Sequence, residues 1–341
     1  MKKKFVYCLL LFFFLSGSTL LAQEYHLIKK TIIGGEGGWD YLAVDEKDRK
    51  LYVSHSTQVE VLDIDTHQKT GTVASLQGVH GIIIVPGSGR GITTNGRSNT
   101  VTLFDLKTLA KISELPAGKN PDAGLYDPFS KRVFVFNHSG TSATVIDPFE
   151  GKVIGEVELG GGGIEAGVSD EKGTIFVNSE DTHEVIVFDA KSLKVKNRWT
   201  VAPGEEPTGI AIDKATHRLF SVCHNGMMIV LNSENGEQVA NVPIGKGVDG
   251  VIFDGQSKTI ISSNGEGSLS VIKEVSPDVY KVEQTVKTER GARTITFDPK
   301  TKHVFVSTAQ YGETPAATTE NPTPRPSIVP GTFMILEYGK K

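Results

Sequence analysis

Asp40, His80, Asp122, Glu165, Asp249 and Arg293 recur along the chain, each near the start of a short apolar segment. Carboxylates and imidazoles so far apart form no local ligand motif. They act together only if a repetitive fold gathers the segment starts at one place. If it does, four carboxylates favour a hard cation, and adding His80 or His55 widens the choice to manganese, iron or zinc. Asp122, Glu165, Asp249 and His80 are therefore the candidate metal ligands, and a divalent cation is the candidate cofactor. The same groups can hold a polyhydroxy ligand. The plainer reading is that segment starts facing water are polar anyway, and that Asp caps turns well.

A second set of positions ends the following segments: His55, Asn95, Asn137, Ser179, Cys223, Asn264 and Thr308, with His138, Glu180 and His224 just beyond. Arg293 is the only base of the inner set; it either neutralises nearby acids or grips a ligand carboxylate through both arms. Trp39 can stack on a ligand or pack between neighbouring repeats. Cys223, beside His224, is a metal ligand or nucleophile on one reading and a small buried residue on the other.

The elements that must position these residues come from an internal repeat. Rows start near Trp39, Val79, Pro121, Ile164, Pro207, Val248 and Ala292, with spacings of 40, 42, 43, 43, 41 and 44 residues. Each row opens with an apolar segment that usually closes in an acid, as in Ile210 to Asp213. A second apolar segment, a third closing in Asp or Asn, and a more polar fourth ending in glycine complete the row. Four β-rich segments per row predict a four-stranded antiparallel sheet. A single sheet cannot bury both faces, whereas seven packed radially can. The expected fold is all-β, a seven-bladed β-propeller with four-stranded antiparallel blades. The last row lacks a fourth segment, and His26 to Ile33 at the other end matches the missing pattern. The N-terminal strand is therefore expected to close the last blade and leave no open edge.

In that geometry the starts of the first strands ring the upper mouth of the channel, and the loops between second and third strands lie on the same top face. A long segment in row seven, 309–331, replaces a short turn there. Its five prolines favour an extended path, and long loops inside compact domains are commonly lids or binding elements. Tyr311, Glu313 and Arg325 are placed to reach over the mouth; the alternative is an exposed insertion of no consequence.

The stretch Asn120 to Pro128, followed by Arg132-Val133-Phe134-Val135-Phe136-Asn137, resembles the YVTN-type repeat. From residue 23 onward the chain resembles the YncE-like seven-bladed propellers of bacterial envelopes, a WD40-like architecture without the Trp-Asp signature. The resemblance spans all seven rows, implies the fold and a binding or scaffold role, and carries no catalytic motif. Rows two and six depart from the pattern: Ile82 to Pro86 lacks the expected Asp, and Ile272 stands in place of the third-strand acid.

Composition narrows the function further. There are 36 Lys and Arg against 40 Asp and Glu, a net charge of −4. Nucleic-acid binding is disfavoured, because it needs a basic surface. Residues 1–22, three lysines followed by an apolar run and Ala22, read as a secretory signal peptide. Without them the balance is 33 basic to 40 acidic residues, and Cys223 is the only cysteine left. The rest, 23–341, is expected to be one propeller domain, periplasmic or secreted, without a membrane span and monomeric. No phosphate-cradling glycine loop, serine elbow or haem motif occurs. The expected function is non-catalytic binding of a small molecule or an envelope protein at the top-face mouth, through Asp40, His55, His80, Asp122, His138, Glu165, His224, Asp249, Arg293 and Tyr311. The alternative is a metal-dependent hydrolase or lyase acting on a lactone, sugar or similar small molecule, with His80 or His138 moving the proton.

Overall fold

The computed structural model describes residues 24–319, 322 and 324–340; segment 1–22, expected to be a signal peptide, lies outside them. Among the described residues 28 strands form seven four-stranded antiparallel sheets. The chain is a seven-bladed β-propeller. The innermost strands are Trp39–Asp45, Val79–Val85, Pro121–Asp127, Ile164–Ser169, Pro207–Asp213, Val248–Asp254 and Ile295–Asp298. Each packs beside the next, and the last packs against the first, so the ring is closed. Blade seven is completed by Tyr25–Ile32, which pairs antiparallel with Met334–Lys340, from Tyr25 opposite Lys340 to Ile32 opposite Met334 with a register shift between Leu27 and Lys29. No helix among the described residues is long and apolar enough to cross a membrane.

Second and third strands are buried on both faces because each blade is sandwiched between neighbours, which is why Leu51–His55 and Val133–Asn137 read as near-continuous apolar runs. Fourth strands form the outer rim and alternate in exposure, as in Lys111–Pro116. The recurrent acids serve the turns. Asp45, Asp127, Asp213, Asp254 and Asp298 each accept a backbone N–H two or three residues on. In each case the residue four positions later adopts positive φ: Arg49, Lys131, His217, Lys258 and Lys302. Row two lacks the Asp and uses glycine at the strained position instead, Gly89 at φ 68°. Third-strand acids such as Asp63 and Asp105 cap the next turn in the same way. Blade six has Lys273 in that place, opposite Thr259, and not Ile272 as the sequence alignment of the rows suggests; it extends both strands of the hairpin instead, Ser268–Ser276 and Val279–Lys287.

The seam between blades seven and one is held by polar contacts on the lower face. Arg49 donates to both oxygens of the buried Asp298 at 2.8 Å each and also pairs with Asp65. Glu337 is clamped between His67 Nε2 at 3.0 Å and His303 Nδ1 at 2.7 Å. These carboxylates have partners, and Asp298, Asp65 and Glu337 all lie below the ordinary carboxylate range. Burial works against ionisation of Asp298 and Glu337, but hydrogen bonds from Arg49 and from the two histidines outweigh it.

Candidate functional site

The mouth is shaped by a repeated irregularity. In blades one to six the pairing between first and second strands shifts register at the strand start, for example between Trp39 and Leu42 and between Pro121 and Gly124. Such bulges re-aim side chains. The residue in second position of each bulge is Asp40, His80, Asp122, Glu165, Thr208 or Asp249. The backbone groups freed by the bulge are bonded by buried polar side chains of the second strands and by a hydroxyl of blade seven. Ser54 Oγ accepts from Asp40 N, Thr94 Oγ1 accepts from Gly81 N and donates to Asp122 O, and Thr294 Oγ1 donates to Asp40 O. Adjacent blades approach so closely that a Cβ on Gly81 would lie 2.6 Å from the carbonyl oxygen of Asp122.

These bulges bring together most of the expected mouth residues. His80 Nδ1 lies 2.7 Å from Asp40 Oδ2 and 3.1 Å from Asp122 Oδ1. His138 Nδ1 approaches Glu165 Oε1 to 2.7 Å without hydrogen-bond geometry. Arg293 pairs with Asp249 at 2.6 Å and reaches Asp40 at 3.6 Å. Asp249 is thus matched by a cation of the protein, while two groups of ligating atoms remain: Asp40, His80 and Asp122, and Asp122, His138 and Glu165. Two buried atoms in them have no hydrogen-bond partner, Asp122 Oδ1 and His138 Nδ1.

The electrostatics follow from burial and crowding. Asp122, Glu165 and Asp249 are all held above the ordinary carboxylate range, first by desolvation and then by one another's charge and that of Asp40; Arg293 and His80 oppose this at Asp122 and Asp249. Burial disfavours protonation of His80, but Asp40 and Asp122 outweigh it and raise its pKa. His138 lacks such a hydrogen bond, and desolvation lowers it. Glu180 is pushed up to about 7 by burial, against the pull of His224.

Other expected site residues are placed elsewhere. His55 is buried beside the mouth, its ring stacked 4.2 Å from Phe333 and its Nδ1 3.3 Å from the buried Glu60. His224 lies in an outer layer, 3.2 Å from Glu206 and 3.8 Å from Glu180. Cys223 is fully buried, its thiol pushed up to about 12 by desolvation. Trp39 packs in the seam between blades one and seven, against Phe333 and Tyr311. Tyr311 lies near the start of the blade-seven insertion, whose base is a small ladder: Gly312 N donates to Ser327 O and Val329 N to Gln310 O. Its ring lies under Arg290 on the blade-seven side of the mouth.

The sequence reading missed Tyr41. It occupies the third bulge position, where blades two to six carry Gly81, Ala123, Ala166, Gly209 and Gly250. Only blade one places a large side chain there, and it crosses the channel: Tyr41 Oη donates to Glu165 Oε2 of blade four at 3.5 Å and packs on the core between blades three and four. Its hydroxyl is raised far above its ordinary pKa by burial and by Glu165, so it stays a neutral donor flooring the mouth. A tyrosine in a column of glycine and alanine was the available signal. A cleft of about 760 Å³ on the lower face, between blades one and two, is lined by turn residues such as Glu46, Lys47 and Lys107.

No family model matches the sequence, and no curated protein does either. The fold is similar to that of a chain of the Kuenenia stuttgartiensis hydrazine synthase, with TM-score 0.70 and 15% identity over 79% of this chain and 92% of that one. It is also similar to a chain of the mitotic checkpoint complex, with TM-score 0.75 and 12% identity over 100% of this chain and 99% of that one. At these identities the likeness extends to the propeller architecture alone.

Proposed function

We propose that this protein is a YncE-like binding propeller of the bacterial envelope, exported through its first 22 residues. In this reading it acts as a monomer and takes up its ligand, a small molecule or an envelope protein, through a divalent cation held in the top-face mouth. A rigid scaffold with partner surfaces at its loops suits binding, and the repeat pattern supports the family. One observation carries the cation: Asp122 is 9% exposed, yet its Oδ1 has no hydrogen-bond partner while imidazole and carboxylate atoms crowd around it. Buried carboxylates are normally satisfied, as Asp298 and Glu337 are in this molecule, and an orphaned one marks a missing partner. Mixed nitrogen and oxygen donors favour manganese, iron or zinc over calcium or magnesium.

The test is a thermal melt of chelator-stripped protein titrated with manganese, zinc, calcium and magnesium. A saturable rise with manganese or zinc is expected, worth about 2.7 kcal/mol at a hundredfold excess over Kd. No shift with any ion would overturn the reading and leave the mouth as solvated turn chemistry.

A second reading, a metal-dependent hydrolase or lyase, is favoured by His138. Desolvation favours the neutral form of this imidazole, and Glu165 Oε1 lies 2.7 Å away, so a turn of the ring into hydrogen-bond geometry would let the two move a proton beside a polarised carbonyl. Manganese-dependent turnover of simple lactones by the wild-type protein would favour it over pure binding.

A further inference from the structure

The geometry points to a pair of divalent ions in the mouth, with Asp122 as the bridging carboxylate between them. This rests on the cation-binding reading above and goes beyond it in number and arrangement. Asp40, His80 and Asp122, from blades one to three, offer one ligand atom each, all within 4.8 Å of one another. Asp122, His138 and Glu165, from blades three and four, do the same. Three donors so spaced lie at most about 2.8 Å from a common centre, so shifts of about 0.7 Å reach the roughly 2.0–2.2 Å of transition-metal bonds. Asp122 is common to both sets and has two oxygens, the requirement for a carboxylate that joins ions roughly 3.5–4 Å apart.

Each set also contains its own unsatisfied atom. Asp122 Oδ1 is orphaned beside His80, and His138 Nδ1 is orphaned beside Glu165. One ion bound among Asp40, His80 and Asp122 would satisfy the first and leave the second without a partner. The neighbouring Asp249 needs no ion, because Arg293 already pairs with it at 2.6 Å. The donor sets are alike, one histidine and two carboxylates each, so both positions suit the same class of ion: manganese, iron or zinc.

The experiment is to strip the purified protein with chelator, reload it with manganese, remove the excess, and count bound ions by native mass spectrometry. Electron paramagnetic resonance on the same sample reports whether the ions interact. Two manganese ions per chain with an exchange-coupled spectrum are expected. Glu165→Gln and Asp40→Asn should each keep one ion with the isolated signal of a mononuclear site. These near-isosteric changes are checked for folding by their melting curves, and the wild-type count needs no variant at all. One ion in the wild type would overturn the pair and leave the cation-binding mouth standing. Two ions without coupling would place the second away from Asp122 and overturn the bridge. No bound ion would overturn both.

Discussion

Removing the charge of Asp122 should make the metal-free protein more stable. Ligand oxygens of Asp40 and Glu165 each lie within 4.8 Å of the ligand atom of Asp122. At an effective dielectric constant of about 20, each fully charged contact repels by about 3.5 kcal/mol. His80, 3.1 Å away, returns about 5 kcal/mol when protonated. With every group ionised the balance is a net penalty of about 2 kcal/mol, to which desolvation adds; proton uptake by Asp122 and Glu165, both held above the ordinary carboxylate range, relieves part of it. Asp122→Asn keeps the shape and removes the charge, so it should stabilise the chelated protein by about 1–3 kcal/mol, a rise of several degrees in Tm. With manganese the order should reverse, because the variant loses the ligand that both ion positions share. The assay is a pair of melting curves at neutral pH, with chelator and with manganese, for wild type and variant. A lower Tm for the variant in chelator would refute the reasoning, since Asp122 and His80 would then be a stabilising ion pair and not an unfinished ligand set.

Further predictions address the scaffold. Arg49→Met removes two hydrogen bonds to Asp298, which keeps donors from Thr301 and Lys300. It should cost about 2 kcal/mol in urea unfolding, below the loss for a fully buried pair. Asp298 is lowered to about 2 in the folded protein, so its contribution is present above its ordinary value and lost as pH falls from about 4 to about 2. That part of the acid unfolding curve should flatten in the variant, and an unchanged curve would contradict the role of Arg49. Deleting 25–32 should open blade seven and expose the edge of Met334–Lys340, seen as self-association in size-exclusion chromatography. A well-behaved monomer would show that closure is dispensable. Native Cys223 should resist iodoacetamide at pH 8 and react once urea unfolds the chain, as read by mass spectrometry.

The blades were legible because two physical demands recur along the rows, the second met by an acid in most of them. Strands packed on both faces must be continuously apolar, and the following turn must be capped by an acid before a residue of positive φ. Asp213 with His217 and Asp298 with Lys302 satisfy both demands. The mouth residues were legible in position, since a strand start faces the mouth in every blade. Their partners were not. Nothing in the local sequence distinguishes Asp249, neutralised by Arg293, from Asp122, left with an orphaned oxygen. His55 read as a mouth residue, but Glu60 and Phe333 hold it in the core, and those contacts arise between strands and between blades. Tyr41 was missed because its reach across the channel depends on the bulge, a feature of register that composition does not reveal.

The most direct test of the mouth as a metal site is anomalous diffraction from crystals of chelator-stripped protein soaked in manganese. The account predicts anomalous peaks at Asp122, on its His80 and Glu165 sides, and none of comparable height on the lower face. A mouth without a peak at saturating manganese, or a sole peak at the already satisfied His67–Glu337–His303 cluster, would contradict it.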